Sequence, residues 1–144
     1  MTSKQKIAIC LFGLVGSSNS KGGKGDPLDP SIACKAYHQH FCNHYDVDFY
    51  IHTWSYQYEN QLKNLFKPKA IITEKPYLFD SSYWMAMVSK RLTLRQKIYS
   101  RFNRSLLHNL SQDAYRAFSR WSSTFHSFNL IPDHSLRDYS FVLS

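Results

Sequence analysis

Apolar positions along the chain form short runs that are separated by stretches with helical spacing. Lys6–Leu14 is nearly continuous in apolar residues, which is typical of a strand buried on both faces of a parallel sheet. Val47–Thr53 and Ala70–Thr73 predict a second and a third strand, and Tyr139–Leu143 predicts a last one. The chain therefore offers four strand-length segments, of which the first is the clearest.

Two helix-length segments separate the first three strands. Asp29 can cap a helix that has proline at its first position and keeps a helical period to about His44. Ser55–Leu65 predicts a shorter helix capped by Ser55, and Lys67-Pro68 ends it. This alternation of strand-length and helix-length segments predicts an α/β fold. We expect a Rossmann-like, mainly parallel sheet with helices on both faces and a central first strand.

The second half of the chain is mostly helical and basic. Residues 81–112 contain six Lys and Arg and no acidic residue. Thr93 begins a capping-box pattern, and the helix it starts has one apolar row that we expect to face the core: Leu94, Ile98, Phe102 and Leu106. Arg95 falls inside this apolar sector, which is unusual. Ser111–Phe128 predicts another helix, and we expect residues 1–144 to form a single domain.

Composition narrows the possible partners and compartments. The chain has 18 Lys and Arg against 10 acidic residues, a net charge of +8 that attracts nucleic acid, a membrane surface or nucleotide phosphates. Most aromatic residues of the basic half have core-type spacing, so we do not expect nucleic acid as a partner. Three cysteines without a CxxC motif indicate reduced thiols, and hence a cytoplasmic protein. No apolar stretch reaches the ~20 residues of a membrane helix.

Three motifs resemble functional sites but fit them poorly. The Gly-rich segment 20–25 lacks the Walker A and GxGxxG spacings, so a surface loop is favoured over a phosphate-binding loop. Asp46-Val47-Asp48 has the DxD spacing of metal-binding glycosyltransferases, but it begins a strand, whereas ligands gather at carboxyl ends. His38, His40 and His44 predict a helix with surface histidines rather than a metal site, because only two of them share a face.

His52-Thr53-Trp54 is the more informative cluster. These residues end the second predicted strand, where the crevice of a parallel sheet should open. An imidazole, a hydroxyl and an indole N–H can bind a base, a ribose or an acceptor. The alternative interpretation is a strand end that only packs locally.

Several of these segments resemble one family. Lys6–Gly13 resembles the first strand of glycosyltransferase-like proteins associated with bacterial and viral polysaccharide loci, and Val47–Trp54 (VDFYIHTW) resembles the characteristic "VDxFIHTW" second strand of that group. Leu65–Lys69 with Ile71–Glu74 resembles the approach to its third strand. Arg137–Ser144 resembles the strand that relatives follow with an Arg-x-Asp element.

The resemblance implies a GT-A-type nucleotide-diphospho-sugar transferase domain, incomplete at its carboxyl end. Its donor would be a UDP- or GDP-linked sugar used in polysaccharide or glycan synthesis, and a full-length relative would use Mn²⁺ or Mg²⁺. Candidate donor-binding residues here are Phe12, Gly13, His52, Thr53 and Trp54, with Arg95 as a phosphate contact.

Two departures from the family pattern affect the expected activity. Relatives carry an Arg shortly after the first-strand glycine, where this chain has Leu14–Ser17, and the sequence ends at Ser144, before the Arg-x-Asp element. We therefore expect weak nucleoside diphosphate binding without sugar transfer by this chain alone, and no metal site within it. The alternative function is a non-catalytic basic module or remnant that contacts polyanions or a partner subunit.

Overall fold

The computed structural model describes residues 4–15, 28–75 and 79–144, with the side chains of residues 99–102 and 104 excepted. Four strands form one parallel sheet in the order β3-β2-β1-β4. Their bounds are β1, Lys6–Gly13; β2, Asp46–Thr53; β3, Ala70–Thr73; and β4, Phe141–Leu143. The predicted α/β, Rossmann-like parallel sheet with β1 in the interior is confirmed.

Two short helices cover one face of this sheet. They are α1, Pro30–Tyr37, which continues as a π-helical turn over His38–Cys42, and α2, Glu59–Phe66, which follows a 3-10 turn over Tyr56–Tyr58. Their buried residues pack with alternate residues of β1 and β2 in one apolar core: Ile7, Ile9, Cys34, Phe49, Ile51, Leu62 and Phe66. Because side chains alternate along a strand, Ala8, Cys10 and Tyr50 face the other way and pack against Ile131.

Local capping chemistry explains the start and end of these helices. Asp29 caps α1 by accepting a hydrogen bond from the Ser31 N–H at 2.9 Å, as predicted. Lys67 ends α2 in the left-handed region, with φ of 46°, just before Pro68. The predicted cap at Ser55 is wrong, because its hydroxyl makes no cap bond and instead accepts the N–H of Val15 at 3.0 Å.

By packing, the chain divides into two compact units, Met1–Pro76 with Ser123–Ser144, and Tyr77–Ser122. The second unit is helical and contains α3, Ser81–Arg91; α4, Leu94–Phe102; and most of α5, Arg104–Asn129. Trp84 is its buried centre and contacts the rings of Tyr115 and Phe118. After α5, a 3-10 segment over Asp133–Asp138 leads into β4 in the first unit.

Helix α4 begins as predicted but does not present its apolar row to a core. The Thr93 capping box is present, with Gln96 as its partner. Leu94 and Ile98, however, are 77% and 55% exposed, so the expectation that they face the core is wrong. The predicted row assumed one helix reaching Leu106, whereas the chain leaves helical geometry at Asn103 (φ −134°, ψ 79°) and α4 is a separate short helix.

The three cysteines are not paired with one another. Cys10, Cys34 and Cys42 are free thiols, as predicted, and burial raises the pKa of Cys10 to about 11. Within the described ranges, no helix combines the length and apolar character needed to cross a bilayer.

Candidate functional site

The carboxyl ends of β1 and β2 are tied together by hydrogen bonds. The Gly13 carbonyl accepts the Thr53 hydroxyl at 2.7 Å and the Trp54 N–H at 3.2 Å. The Thr53 Oγ1 in turn accepts the Ser55 N–H at 3.1 Å, and the Ser55 Oγ accepts the Val15 N–H. Three of these four bonds join the end of β1 to the end of β2, and the fourth, between Thr53 and Ser55, lies within the end of β2.

Gly13 is the one position in these strand ends that requires glycine. Its φ of 104° lies in a region that L side chains rarely adopt, although a Cβ would meet no atom within 4 Å. Its N–H donates to the Ser123 Oγ on α5 at 3.1 Å. The end of β1 is therefore anchored on one side to β2 and on the other to α5.

His52 lies inside the protein, beneath this strand end. Its side chain is 0% exposed, and its Nδ1 lies 2.6 Å from the Ser123 Oγ. Because a carboxylate, that of Glu74, faces Nε2, we assign the imidazole proton to Nε2 and the Ser123 hydroxyl as the donor to Nδ1. That nitrogen faces the Glu74 carboxylate at 3.6 Å, which is too long for a hydrogen bond.

Burial lowers the pKa of His52, and the neighbouring His126 ring, stacked at 5.1 Å, acts in the same direction. Glu74 opposes the shift because a carboxylate favours the protonated imidazole. The neutral form therefore dominates in the folded protein at neutral pH.

This shift predicts that stability falls as the pH drops below 6.5, the ordinary pKa of histidine. Over that range the unfolded chain binds a proton that folded His52 does not, so the free energy of unfolding decreases by up to about 1.4 kcal/mol per pH unit. Urea unfolding at several pH values measures this slope. His52→Gln should reduce it, and an equal slope in wild type and variant would contradict the assignment.

A cavity of about 420 Å³ opens at the carboxyl ends of β1 and β2, next to the first turn of α1. Its volume lies in the range of small-molecule sites. Its walls come from the ends of β1 and β2, from α1 and α2, and from Ser144 after β4. They are mainly apolar: Cys10, Leu11, Phe12, Gly13, Leu14, Val15, Leu28, Asp29, Pro30, Ala33, Tyr37, Ile51, His52, Thr53, Leu62, Phe66 and Ser144.

Asp29 is the charged side chain in this lining. Its Oδ1 accepts the Ser31 N–H and its Oδ2 accepts the Ser31 hydroxyl at 2.6 Å. These two bonds lower the pKa of Asp29, so the carboxylate is ionised at neutral pH. An ionised carboxylate keeps further acceptor capacity, which suits ligand hydroxyls and disfavours ligand phosphates.

Only some of the residues predicted from the sequence to bind the donor present a side chain or backbone to the cavity. Phe12, Gly13 and Thr53 line the cavity. His52 also borders it, but its buried imidazole offers no exposed surface to a ligand. Trp54 is half-buried, and its ring is nearly perpendicular to that of His52, with 5.8 Å between ring centroids. Arg95 is an exposed residue of α4 in the second unit.

Several residues of the site were not predicted from the sequence. Asp29 was identified only as a helix cap, and Ala33 and Tyr37 only as part of a helix. The hydroxyl of Ser123 is 71 positions from His52 along the chain, and nothing in the local pattern marks it. Because α1 is the helix that follows β1, its first turn is expected near the carboxyl ends of the strands. This rule could have identified the apolar residues of α1 as part of the lining.

The Asp46-Val47-Asp48 motif has a structural role. Asp48 accepts the Tyr139 hydroxyl at 2.8 Å and pairs with Lys6 at 3.4 Å and Lys69 at 3.8 Å. These contacts tie β2 to β1 and to the segments before β3 and β4. The three histidines His38, His40 and His44 are exposed, as predicted.

Comparisons of the chain with protein-family models, curated proteins and solved structures found no match.

Proposed function

We propose that this chain is a glycosyltransferase-like domain that holds the nucleoside part of a UDP- or GDP-sugar donor in the cavity at the ends of β1 and β2. The observation that carries the proposal is this cavity of about 420 Å³, bordered by the strand ends that resemble the family, Phe12-Gly13 and His52-Thr53. In this role the protein belongs with the cytoplasmic enzymes, or enzyme-derived binding domains, of polysaccharide synthesis.

The strand order supports a ligand site at this position. From β1 the chain crosses to β2 and then β3 on one side, and β4 later pairs with β1 on the other side. The order therefore reverses beside β1. In open parallel sheets, ligands bind outside the carboxyl ends of the strands at such a switch point.

The chemistry of the lining favours a nucleoside over its phosphates. Apolar walls and the half-buried ring of Tyr37 can enclose a base. The ionised Asp29 can accept ribose hydroxyls, whereas it would repel a diphosphate. We therefore expect the phosphates to remain outside the cavity.

The residues that line the cavity do not suit a divalent metal ion of the kind expected in the glycosyltransferases that this chain resembles. Hard divalent cations need several oxygen ligands, and Asp29 supplies the one side-chain carboxylate among the described residues of the lining. Throughout the described part of the chain, no group of three or more His, Cys, Asp and Glu could hold a metal. The proposed binding therefore contains no step through a metal.

A second cavity, of about 820 Å³, lies at the amino ends of the strands. It is lined by residues before β1 and at the beginning of β2, including Lys4, Asp46 and Val47. The amino ends of parallel strands are not where such folds bind ligands. Its larger volume therefore does not outweigh the position of the first cavity.

A cavity-filling substitution tests the proposal. Ala33→Phe adds an aromatic ring to the lining, whereas Ala36→Phe adds the same ring to an exposed position of α1 outside it. We expect wild type and Ala36→Phe to bind UDP or GDP weakly, in the millimolar range, and Ala33→Phe to bind at least about tenfold more weakly. Isothermal titration calorimetry measures the affinities, and circular dichroism checks the fold.

Equal binding by the two variants would place the nucleotide outside the cavity. Heat signals absent for wild type at millimolar UDP and GDP would contradict the proposed function.

A further inference from the structure

Helix α4 carries an exposed apolar pair among basic residues. Leu94 is 77% exposed and Ile98 is 55% exposed, which are high values for large aliphatic side chains. Lys90, Arg91 and Arg95 are exposed within four residues of this pair. We name these five residues the α4 patch. It belongs entirely to the second unit, Tyr77–Ser122.

Helix geometry brings the apolar and basic side chains of α4 together. At about 100° per residue, Leu94 and Ile98 point about 40° apart, and Arg95 follows about 60° beyond Ile98. Lys97, also exposed, points about 60° to the other side of Leu94. The apolar pair is therefore bordered by a base on each side, which accounts for the unusual position of Arg95 in the sequence pattern.

The charge around the patch has one sign. Residues 81–112 contain six Lys and Arg and no Asp or Glu, so the patch favours an anionic partner. A helix with exposed aliphatic side chains between bases is the pattern that lies in the interface of an anionic bilayer, with its apolar side chains among the acyl chains. A nucleic acid would satisfy the charges but would leave Leu94 and Ile98 without an apolar partner.

We propose that the α4 patch docks this protein on an anionic lipid surface. Arg91 and Arg95 contact lipid headgroups, while Leu94 and Ile98 enter the boundary between headgroups and acyl chains. This inference is independent of the nucleotide site, since α4 and the cavity belong to different units.

Vesicle co-sedimentation of the full chain tests the proposal. The vesicles contain phosphatidylcholine alone or an equal mixture with phosphatidylglycerol. We expect binding only to the mixture, weakened by added NaCl. Each base near an anionic surface strengthens binding about fivefold, so Arg91→Glu/Arg95→Glu should lower the partition coefficient at least about 25-fold. The control Lys35→Glu/Lys75→Glu changes the net charge equally at exposed positions of the first unit and should have a much smaller effect.

A second pair of variants separates the apolar contribution from charge. Leu94→Gln/Ile98→Gln should lower the partition coefficient at least about tenfold. The matched control Ile32→Gln/Leu136→Gln changes exposed apolar residues of the first unit and should leave it unchanged. Equal binding to both vesicle types would overturn the proposal. So would equal losses in test and control variants, or salt-sensitive binding to duplex RNA without vesicle binding.

Discussion

Replacing His52 with alanine is expected to lower the free energy of unfolding by about 3 kcal/mol. The imidazole is fully buried and bonded to Ser123, so its removal leaves a cavity and a buried hydroxyl without its acceptor. Urea unfolding monitored by tryptophan fluorescence measures the change. His44→Ala is the matched control, because His44 is exposed and its loss should cost less than about 0.5 kcal/mol.

The His52 result also distinguishes support of the site from contact with a ligand. We expect His52→Ala to retain nucleotide affinity under conditions where it remains folded, since its ring is covered by Ser123, His126 and Trp54. A stable variant that no longer binds UDP would show that the imidazole reaches the ligand.

The largest loss of stability is expected from Phe49→Ala, at about 3–5 kcal/mol. Phe49 is 4% exposed at the centre of the core between β2 and the helices, and its ring packs edge-on against Tyr37 and Phe66. Removing it takes away contacts on both α1 and α2. Thermal unfolding measures the effect as a large decrease in Tm.

Phe141→Ala is the control for that substitution. Phe141 is also a strand phenylalanine, but it is 58% exposed in β4, so its loss should cost less than about 1 kcal/mol. Similar losses at Phe49 and Phe141 would contradict the placement of the core on the α1 and α2 face.

Strands β1 and β3 were predictable from local apolar runs, and the run in β1 is buried on both faces of the sheet. The apolar run at Lys6–Leu14 gave β1 to within one residue, and Ala70–Thr73 is β3 as predicted. The start of α1 was predictable for a local reason too, since Asp29 and Pro30 are adjacent. Where adjacent residues determine structure, a single sequence is enough.

The errors occurred where a distant residue decides the outcome. Ser55 has the chemistry of a helix cap, but its hydroxyl binds Val15, 40 positions away. Leu94 and Ile98 have the period of a buried face, but burial depends on what packs against a helix and not on its period. The period also gave no sign that the helix would break at Asn103.

The sequence predicted where on the sheet the candidate site lies, but not which side chains face the cavity. The rule that ligands gather at carboxyl ends selected the ends of β1 and β2, where the cavity lies. Alternation along β2 put Thr53 and His52 on opposite faces. Deciding which face holds the cavity required knowing that α1 and α2 cover the Thr53 side, and this is a property of the whole fold.

Amide chemical-shift mapping of the full chain during titration with UDP tests the proposed nucleotide site most directly. We expect the largest shifts around the cavity, at Gly13, Leu14, Val15, Ser31, Ala33 and Thr53, with much smaller shifts at the basic residues of α4. Shifts confined to residues 90–98, or none at millimolar UDP, would contradict the proposed nucleotide site.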